Sequence, residues 1–168
     1  ERVMPEENRG PSFYALIAEL RLLRGDLKGA IEACRDGLKR FPEDMILLNN
    51  LAFLYSETDS EANLRWAEDT AHALLSKDPD NIHIRDTLAW ILHKTGRSGE
   101  AEALLAPFER LLPGKATICY HYGAILMELG KEEKARYYLN EALTSEPVGA
   151  AWLEKANELL SRDEKKDE

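Results

Sequence analysis

Apolar positions between residues 86 and 105 follow a helical period on both sides of a short polar turn. Before the turn, Leu88 and Leu92 fall at i and i+4, and after it Ala101 and Leu105 have the same spacing. Such a spacing places each pair on one face of a helix. The stretch therefore predicts two helices joined by a turn, which is a helical hairpin.

Prolines, alanines and glycines mark a repetition of this hairpin along the chain. The prolines stand at intervals of 37, 34 and 34 residues: Pro42, Pro79, Pro113 and Pro147. Twelve residues before each proline stands an alanine: Ala30, Ala67, Ala101 and Ala135. A glycine stands five residues before three of these alanines: Gly25, Gly96 and Gly130. At this point the first helix ends and needs a residue with a left-handed backbone. Three residue types at one period identify an internal repeat.

The first helix of each hairpin is helix A, and the second is helix B. A small residue on helix A faces the alanine of helix B, which lets the two helices cross closely. In the four hairpins this small residue is Ala18, Ala52, Ala89 and Gly123. With its period of about 34 residues, the unit resembles the bacterial-type tetratricopeptide repeat, whose pattern is W-x2-L-G-x2-Y, A-x3-F and P. Four units follow from this resemblance: 11–44, 45–81, 82–115 and 116–149.

The resemblance implies an all-α fold, a right-handed α-solenoid of four hairpins in which each hairpin covers the apolar surface of its neighbour. Residues 150–161 restart a helix of type A without a B partner, and we expect this ninth helix to cap the solenoid. Its inward residues should be Leu153, Ala156 and Leu160. Residues 1–10 predict a flexible polar leader, and 162–168 a charged tail.

Several positions depart from the repeat pattern. The second unit lacks the turn glycine and has three extra residues, so we expect a longer loop between its helices. Arg21 and Arg85 stand where the pattern has tyrosine and tryptophan, and each either loosens its corner or covers it with its aliphatic stem. Pro107 lies inside helix B of the third unit, where it should remove one backbone hydrogen bond and bend the helix.

Composition narrows the classes of function. The chain is 44% hydrophobic and 32% charged, which indicates a folded domain with a well-solvated surface. Its net charge of −9 argues against nucleic acid as a partner, because phosphate binding needs a concentrated basic surface. No apolar run is long enough to insert into a membrane. Cys34 and Cys119 lie in apolar helical stretches without metal-ligand spacing, and we expect both to be buried.

The sequence lacks the usual motifs of catalytic and metal-binding sites. The chain has no glycine-rich phosphate loop, no nucleophile elbow and no HExxH, so it predicts neither an enzyme nor a cofactor site. His83 and His93 are ten residues apart on one helix, roughly 15 Å, which is too far for direct ligation of one ion. His72 and His121 fall on other helices, and we expect no metal site.

The resemblance implies a groove lined by the A helices, on a face turned away from the core face. In the third unit four polar and aromatic residues lie within an arc of about 80°, centred roughly 130° from the core positions. With the equivalent positions of the second and fourth units, the expected partner-binding residues are Asn49, Phe53, His83, Asp86, Trp90, His93, Tyr120 and Met127. The alternative is that Trp90 and Phe53 pack against a neighbouring repeat and are covered.

These features favour a non-catalytic scaffold that holds a peptide or helix of a partner protein in the groove. The alternative is an assembly module that forms a homo-oligomer or packs against other parts of a larger protein. The clamp with which some family members bind acidic chaperone tails is not expected, because only Asn50 fits its positions. A weaker likeness to the last repeats of large bacterial proteins of exopolysaccharide export and protein sorting lies in three successive stretches, "LNNLAFLY", "DTLAWILHKTGRSGEA" and "YHYGAILMELGKEEKARYYLNEAL". The cytoplasm and the periplasm are both compatible with the sequence.

Overall fold

The structure is a computed structural model that describes residues 9–145 and 152–161. These residues form nine α-helices, one 3-10 segment and no strand, so the expected all-α fold is confirmed. The α-helices are α1 (Pro11–Leu23), α2 (Leu27–Arg40), α3 (Met45–Ser56), α4 (Glu61–Lys77), α5 (Ile82–Lys94), α6 (Ser98–Leu105), α7 (Ala116–Glu128), α8 (Glu132–Thr144) and α9 (Leu153–Ser161). Most of the expected leader, Pro147 and the charged tail lie outside the described residues.

The helices belong to two compact units, Glu1–Asp78 and Pro79–Glu168. The first unit contains the first two predicted repeats, in which α1 pairs with α2 and α3 with α4. The second contains the other two, in which α5 pairs with α6 and α7 with α8, and α9 packs on α7 and α8. None of the described helices is both long and apolar enough to cross a bilayer.

The helix pairs cross where the sequence places small residues. The alanines of these crossings are all buried: Ala18, Ala30, Ala52, Ala67, Ala89, Ala101 and Ala135. At the fourth crossing, a Cβ atom on Gly123 would lie 2.8 Å from Cγ of Leu139 and 3.2 Å from the carbonyl oxygen of Ala135. The close approach that the repeat pattern predicts is therefore confirmed, and at Gly123 it leaves no room for a methyl group.

Glycines end three of the A helices as predicted, because each adopts a left-handed backbone. The φ angles are 75°, 79° and 69° at Gly25, Gly96 and Gly130. After Gly25, for example, the backbone N–H of Asp26 donates to the carbonyl of Arg21, which satisfies one of the carbonyls at the helix end. A fourth glycine in this conformation, Gly114 with φ 81°, precedes α7 and is not part of the predicted pattern.

Of two expectations about irregular segments, the one for Pro107 is corrected and the longer loop of the second repeat is confirmed. Pro107 does not bend an α-helix: α6 ends at Leu105, and Ala106–Leu111 continue as a 3-10 helix with the proline in its first turn. A proline has no N–H to donate into the preceding helix, whereas a first turn needs no such donor. The insertion in the second repeat lengthens the loop by one residue only, to residues 57–60, and otherwise extends α4 at its N-terminus.

Arg21 and Arg85, which replace aromatic residues of the repeat pattern, both make contacts through their guanidinium groups. Arg21 donates from Nη1 to the carbonyl oxygen of Gly29 at 2.7 Å, which joins α1 to α2. Arg85 donates from Nε to the carbonyl of Pro79 at 2.7 Å, and its guanidinium lies 4.3 Å from the ring centroid of Phe108. The guanidinium groups, rather than the aliphatic stems alone, therefore replace the aromatic residues of the pattern.

The junction between α7 and the 3-10 segment contains a polar cluster. The hydroxyl of Tyr122 donates to Oε1 of Glu109 at 2.5 Å, and Nζ of Lys134 contacts the same oxygen. Burial alone would raise the pKa of the Glu109 carboxyl, but the hydrogen bonds from Lys134 and Tyr122 outweigh it, so that this pKa is lowered. Burial and the Glu109 carboxylate together raise the pKa of Tyr122, whose hydroxyl therefore stays protonated.

Candidate functional site

The predicted groove residues divide between the two units. Asn49 and Phe53 belong to α3 of the first unit, and the other six belong to α5 and α7 of the second. Phe53 packs against the buried cluster that contains Leu51 and Leu54, which agrees with the alternative interpretation that it is covered. Oδ1 of Asn49 is buried and accepts no hydrogen bond from the described residues. The first unit therefore supplies only part of the expected surface.

In the second unit, four of the predicted residues line one pocket of about 530 Å³. They are Trp90 and His93 of α5 and Tyr120 and Met127 of α7. The pocket lies between α5, α7 and the N-terminal part of α8 on one side and α9 on the other. Its remaining lining residues are Lys94, Ala124, Glu128, Glu132, Lys155, Glu158 and Leu159.

Trp90 is buried, which corrects the expectation that it lies on an open face. Only 7% of its surface is exposed, and its ring stacks on His121 with centroids 4.1 Å apart and planes 17° apart. The imidazole of His93 lies 5.2 Å from it, and Nζ of Lys94 is 5.9 Å from its centroid. Because α5 and α7 pack side by side, the face that one helix alone would leave open is covered by the next A helix.

Asp86 does not line the pocket but supports its wall. Both carboxylate oxygens lie 3.0 Å from Nδ1 of His121, and both residues are buried. A carboxylate oxygen accepts hydrogen bonds, so Nδ1 of His121 is the donor in this contact. The pair fixes the plane of the imidazole on which Trp90 stacks. From the sequence, His121 is considered only as a metal ligand, although an imidazole in an apolar run already indicates a buried polar partner.

His83 and His93 occupy different environments. His83 is exposed in the first turn of α5 and does not line the pocket, so its part in partner binding stays a prediction. Nδ1 of His93 lies 2.9 Å from Oγ of Ser98. Burial lowers the pKa of His93, and the charges of His121 and Lys94 lower it further, against an opposing effect of Glu128. His93 is therefore a neutral imidazole near neutral pH.

The last helix forms the opposite wall of the pocket, a role that the sequence does not predict. Ala156 is fully buried, as expected, while Leu153 and Leu160 are half-buried. The neighbouring residue, Leu159, lines the pocket. The ring of Trp152 stacks on Tyr120, with centroids 4.9 Å apart and planes 8° apart. The helix that we expected only to cap the repeats therefore also shapes the candidate site.

The side chains that line the pocket are better suited to binding a ligand than to catalysis. Its floor consists of aromatic rings, a thioether and methyl groups, and its rim carries both signs of charge, with three glutamates and two lysines. No cysteine, serine or threonine is among the lining residues. Within residues 9–145 and 152–161, no three His, Cys, Asp or Glu side chains lie close enough together to hold a metal ion.

Comparison with known proteins agrees with this architecture. The family model of the tetratricopeptide repeat matches residues 116–148. A TPR repeat-containing protein of Pseudomonas aeruginosa is 30% identical over 136 residues, which cover 80% of this chain. The chain spans only 22% of the length of that curated relative.

Solved structures share the fold at low identity. A thermophilic TPR protein of Thermus thermophilus superposes with a TM-score of 0.66 at 17% identity, over 92% of this chain and 84% of that one. MamA of Desulfovibrio magneticus RS-1 has a TM-score of 0.54 at 16% identity, over 86% of this chain and 78% of its own. Both likenesses concern the α-solenoid fold alone. The family match, the curated relative and the repeated hairpins support a tetratricopeptide repeat protein.

Proposed function

We propose that the second unit is a non-catalytic binding module that holds a short segment of a partner protein in the pocket between α5, α7 and α9. The tetratricopeptide fold is in general a scaffold for protein–protein interaction. The observation that carries the proposal for this chain is the pocket itself. Its volume of about 530 Å³ falls within the roughly 300–1,000 Å³ of typical ligand sites. That space accepts a few side chains and excludes a folded domain.

The lining suits an apolar anchor flanked by polar groups. Met127 is a flexible and polarisable side chain that adapts its contacts to a ligand. Tyr120, like Trp90, is buried and contributes to the wall, and its ring is already ordered by its stack on Trp152, so that binding costs little further side-chain entropy. Lys155 and Glu158, both exposed on α9, stand at the rim and favour a segment with opposite charges beside its anchor.

The proposal keeps four residues of the predicted set, Trp90, His93, Tyr120 and Met127. Trp90 contributes as part of the wall rather than as an exposed anchor, because its ring is largely covered by His121. Asn49 and Phe53 are left out because they belong to the first unit.

Peptide selection tests this proposal directly. A random peptide library is selected on the wild-type protein, and the dissociation constants of the selected peptides are measured by calorimetry. The variant Met127→Arg places a charge and a longer side chain in the pocket, and we expect binding to weaken by about tenfold or more. Leu111→Arg is the matched control, since Leu111 is an exposed apolar residue of the same unit outside the pocket.

The thermal midpoints of both variants should stay close to that of the wild type, which separates binding from folding. Selected peptides that bind Met127→Arg and Leu111→Arg equally well would contradict the proposal, because the pocket would then contribute nothing. A library that yields no binder on the wild type would contradict it as well.

A further inference from the structure

One end of the pocket is formed by the last turns of α5 and α7. The ring centroids of Trp90 and Tyr120 lie 5.7 Å apart, and further along the two helices His93 and Glu128 line the same pocket. Both helices therefore point their C-termini, with their negative partial charge, toward this end. Glu132, the first residue of α8, lines the pocket too. Glu128 and Glu132 give this region its name, the acidic end of the pocket.

The carboxylate of Glu128 does not help the helix that carries it. Glu128 is the last residue of α7, where the helix dipole favours a positive charge. Lys94 occupies the equivalent position of α5, since each of the two residues follows the small residue of its helix by five positions. No basic residue stands in the last turn of α7. A ligand therefore explains this carboxylate better than the stability of α7 does.

The basic residues next to these carboxylates face the preceding hairpin. Nζ of Lys131 donates to both carboxylate oxygens of Glu102 in α6, at 2.5 and 2.7 Å. Nζ of Lys134 contacts Oε1 of Glu109 in the 3-10 segment. Neither lysine lines the pocket. The start of α8 therefore divides its charges, with the lysines toward the preceding hairpin and Glu132 toward the pocket.

The basic side chains of the lining belong to α5 and α9. Nζ of Lys94 lies 5.9 Å from the ring centroid of Trp90, one turn back from the C-terminus of α5, and Lys155 belongs to α9. Nδ1 of His93 lies 2.9 Å from Oγ of Ser98, and burial lowers the pKa of this imidazole, which is uncharged near neutral pH. The acidic end thus combines two carboxylates with a neutral ring.

We infer that the partner segment inserts an arginine beside its apolar anchor, with the guanidinium on Glu128 and Glu132 and the aliphatic stem on Met127. This inference rests on the proposed function and names the side chain that the pocket selects. A guanidinium presents its N–H donors in a planar fork, which suits carboxylates from two helices better than the compact ammonium of lysine does. An acidic side chain in the same place would meet two like charges and is rejected.

The peptides selected on the wild-type protein test the inference. An arginine should recur in their sequences. Its replacement by citrulline, which keeps the shape and removes the charge, should weaken binding by about tenfold or more in calorimetry, and replacement by lysine should weaken it less. Selected peptides that lack a basic residue, or that bind equally well with citrulline, would overturn the inference. If Met127→Arg still weakened those peptides, the proposed function itself would stand.

A double-mutant cycle locates the guanidinium. Glu128→Gln should weaken the arginine peptide by about tenfold and leave the affinity of the citrulline peptide nearly unchanged. Glu133→Gln is the matched control, since Glu133 is an exposed carboxylate of α8 that does not line the pocket, and it should bind both peptides as the wild type does. Equal losses of both peptides on Glu128→Gln would overturn the inferred contact.

Charge reversal separates a direct ion pair from a change in the fold. Glu128→Arg should bind a peptide with glutamate in place of the arginine more tightly than the wild type does, because the pair is restored with its charges exchanged. The thermal midpoint of this variant should not fall below that of the wild type, since a basic residue suits the C-terminus of α7. If the exchanged pair failed to bind while the midpoint was unchanged, the inference would be wrong.

Discussion

Helices α1 and α7 have the same length and play the same part in their hairpins, yet they differ in burial. Both contain 13 residues, but α7 is buried continuously over 118–126, whereas in α1 only Ala18 is buried. Four helices, α5, α6, α8 and α9, pack on α7, while α1 packs on α2 and α3. The repeat pattern thus specifies the contact within a hairpin, and the neighbours decide how much of the remaining helix is covered.

Removal of the last helix should make the end of the second unit resemble α1, and we expect the largest effect from it. A chain truncated after residue 149 lacks Trp152, Ala156 and Leu159, so the ring of Tyr120 and the apolar flank of α8 become exposed. The truncated protein should aggregate or lose its cooperative unfolding, as measured by light scattering and thermal melting. A soluble truncation with an unchanged melt would contradict this role of α9.

Trp90→Ala should be the most destabilising of the single substitutions. The ring is buried between α5 and α7, so its loss leaves a cavity and should cost about 3–5 kcal/mol of unfolding free energy in urea denaturation. If Trp90 lay on an open face, as expected from the sequence, Trp90→Ala would leave the unfolding free energy almost unchanged. A loss below about 1 kcal/mol would support that open face and contradict the stack on His121.

A matched pair of leucines compares α7 with α1 directly. Leu126 is fully buried, so Leu126→Ala should cost about 2–5 kcal/mol. Leu20→Ala removes the same atoms from an exposed position, and its cost should stay within about 0.5 kcal/mol. Equal losses in urea denaturation would mean that Leu20 is already covered in the free protein.

Ala101→Leu tests the contact that all four hairpins share. Ala101 is fully buried at the crossing of α5 and α6, and extra methylene groups there should cost about 1–3 kcal/mol by overpacking. Ala103→Leu is the control, because Ala103 lies on the exposed side of the same helix. A variant at position 101 that melts at the wild-type temperature would show that the register of the hairpins is wrong.

The smallest effect concerns the polar cluster at Glu109. In the first unit the equivalent junction is apolar, with Leu38 packed against the cluster that contains Leu51. Because the pKa of Glu109 is lowered in the folded state, its stabilisation is present above the unfolded pKa and is lost as the pH falls through the folded pKa. Glu109→Gln should therefore destabilise the protein near neutral pH, and the difference from wild type should shrink in acid.

The control for this titration is Glu100→Gln, at an exposed carboxylate of α6. Its urea midpoint should follow the wild type at every pH. If the gap between Glu109→Gln and the wild type stayed constant with pH, the carboxylate would not be the source of the stabilisation.

Much of the fold follows from the sequence, because close helix crossings and left-handed turns each admit few residue types. Ala101 and Gly96 identify the third hairpin for this reason, since only small residues fit the crossing and glycine suits the turn. The expectation for Pro107 is wrong because the lost hydrogen bond has two outcomes, a bend or a change to 3-10 geometry, and packing decides between them.

The candidate site is predictable only in part. Helical periodicity places Tyr120 and Met127 together on the face of α7 that lines the pocket, because that face is a property of one helix. The burial of Trp90 and the part of Leu159 in the pocket depend on how α5, α7 and α9 pack together. Such contacts join residues that are distant in sequence, and a repeat pattern contains no information about them.

The two cysteines give each unit its own chemical reporter of transient opening. Cys34 lies in the first unit and Cys119 in the second, both fully buried and unpaired. Burial raises the pKa of each thiol to about 11, so neither reacts until its surroundings open. The rate of alkylation at each cysteine, resolved by peptide mass spectrometry, therefore measures how often that unit exposes its interior. The comparison of the two rates would show whether the units open together or one at a time.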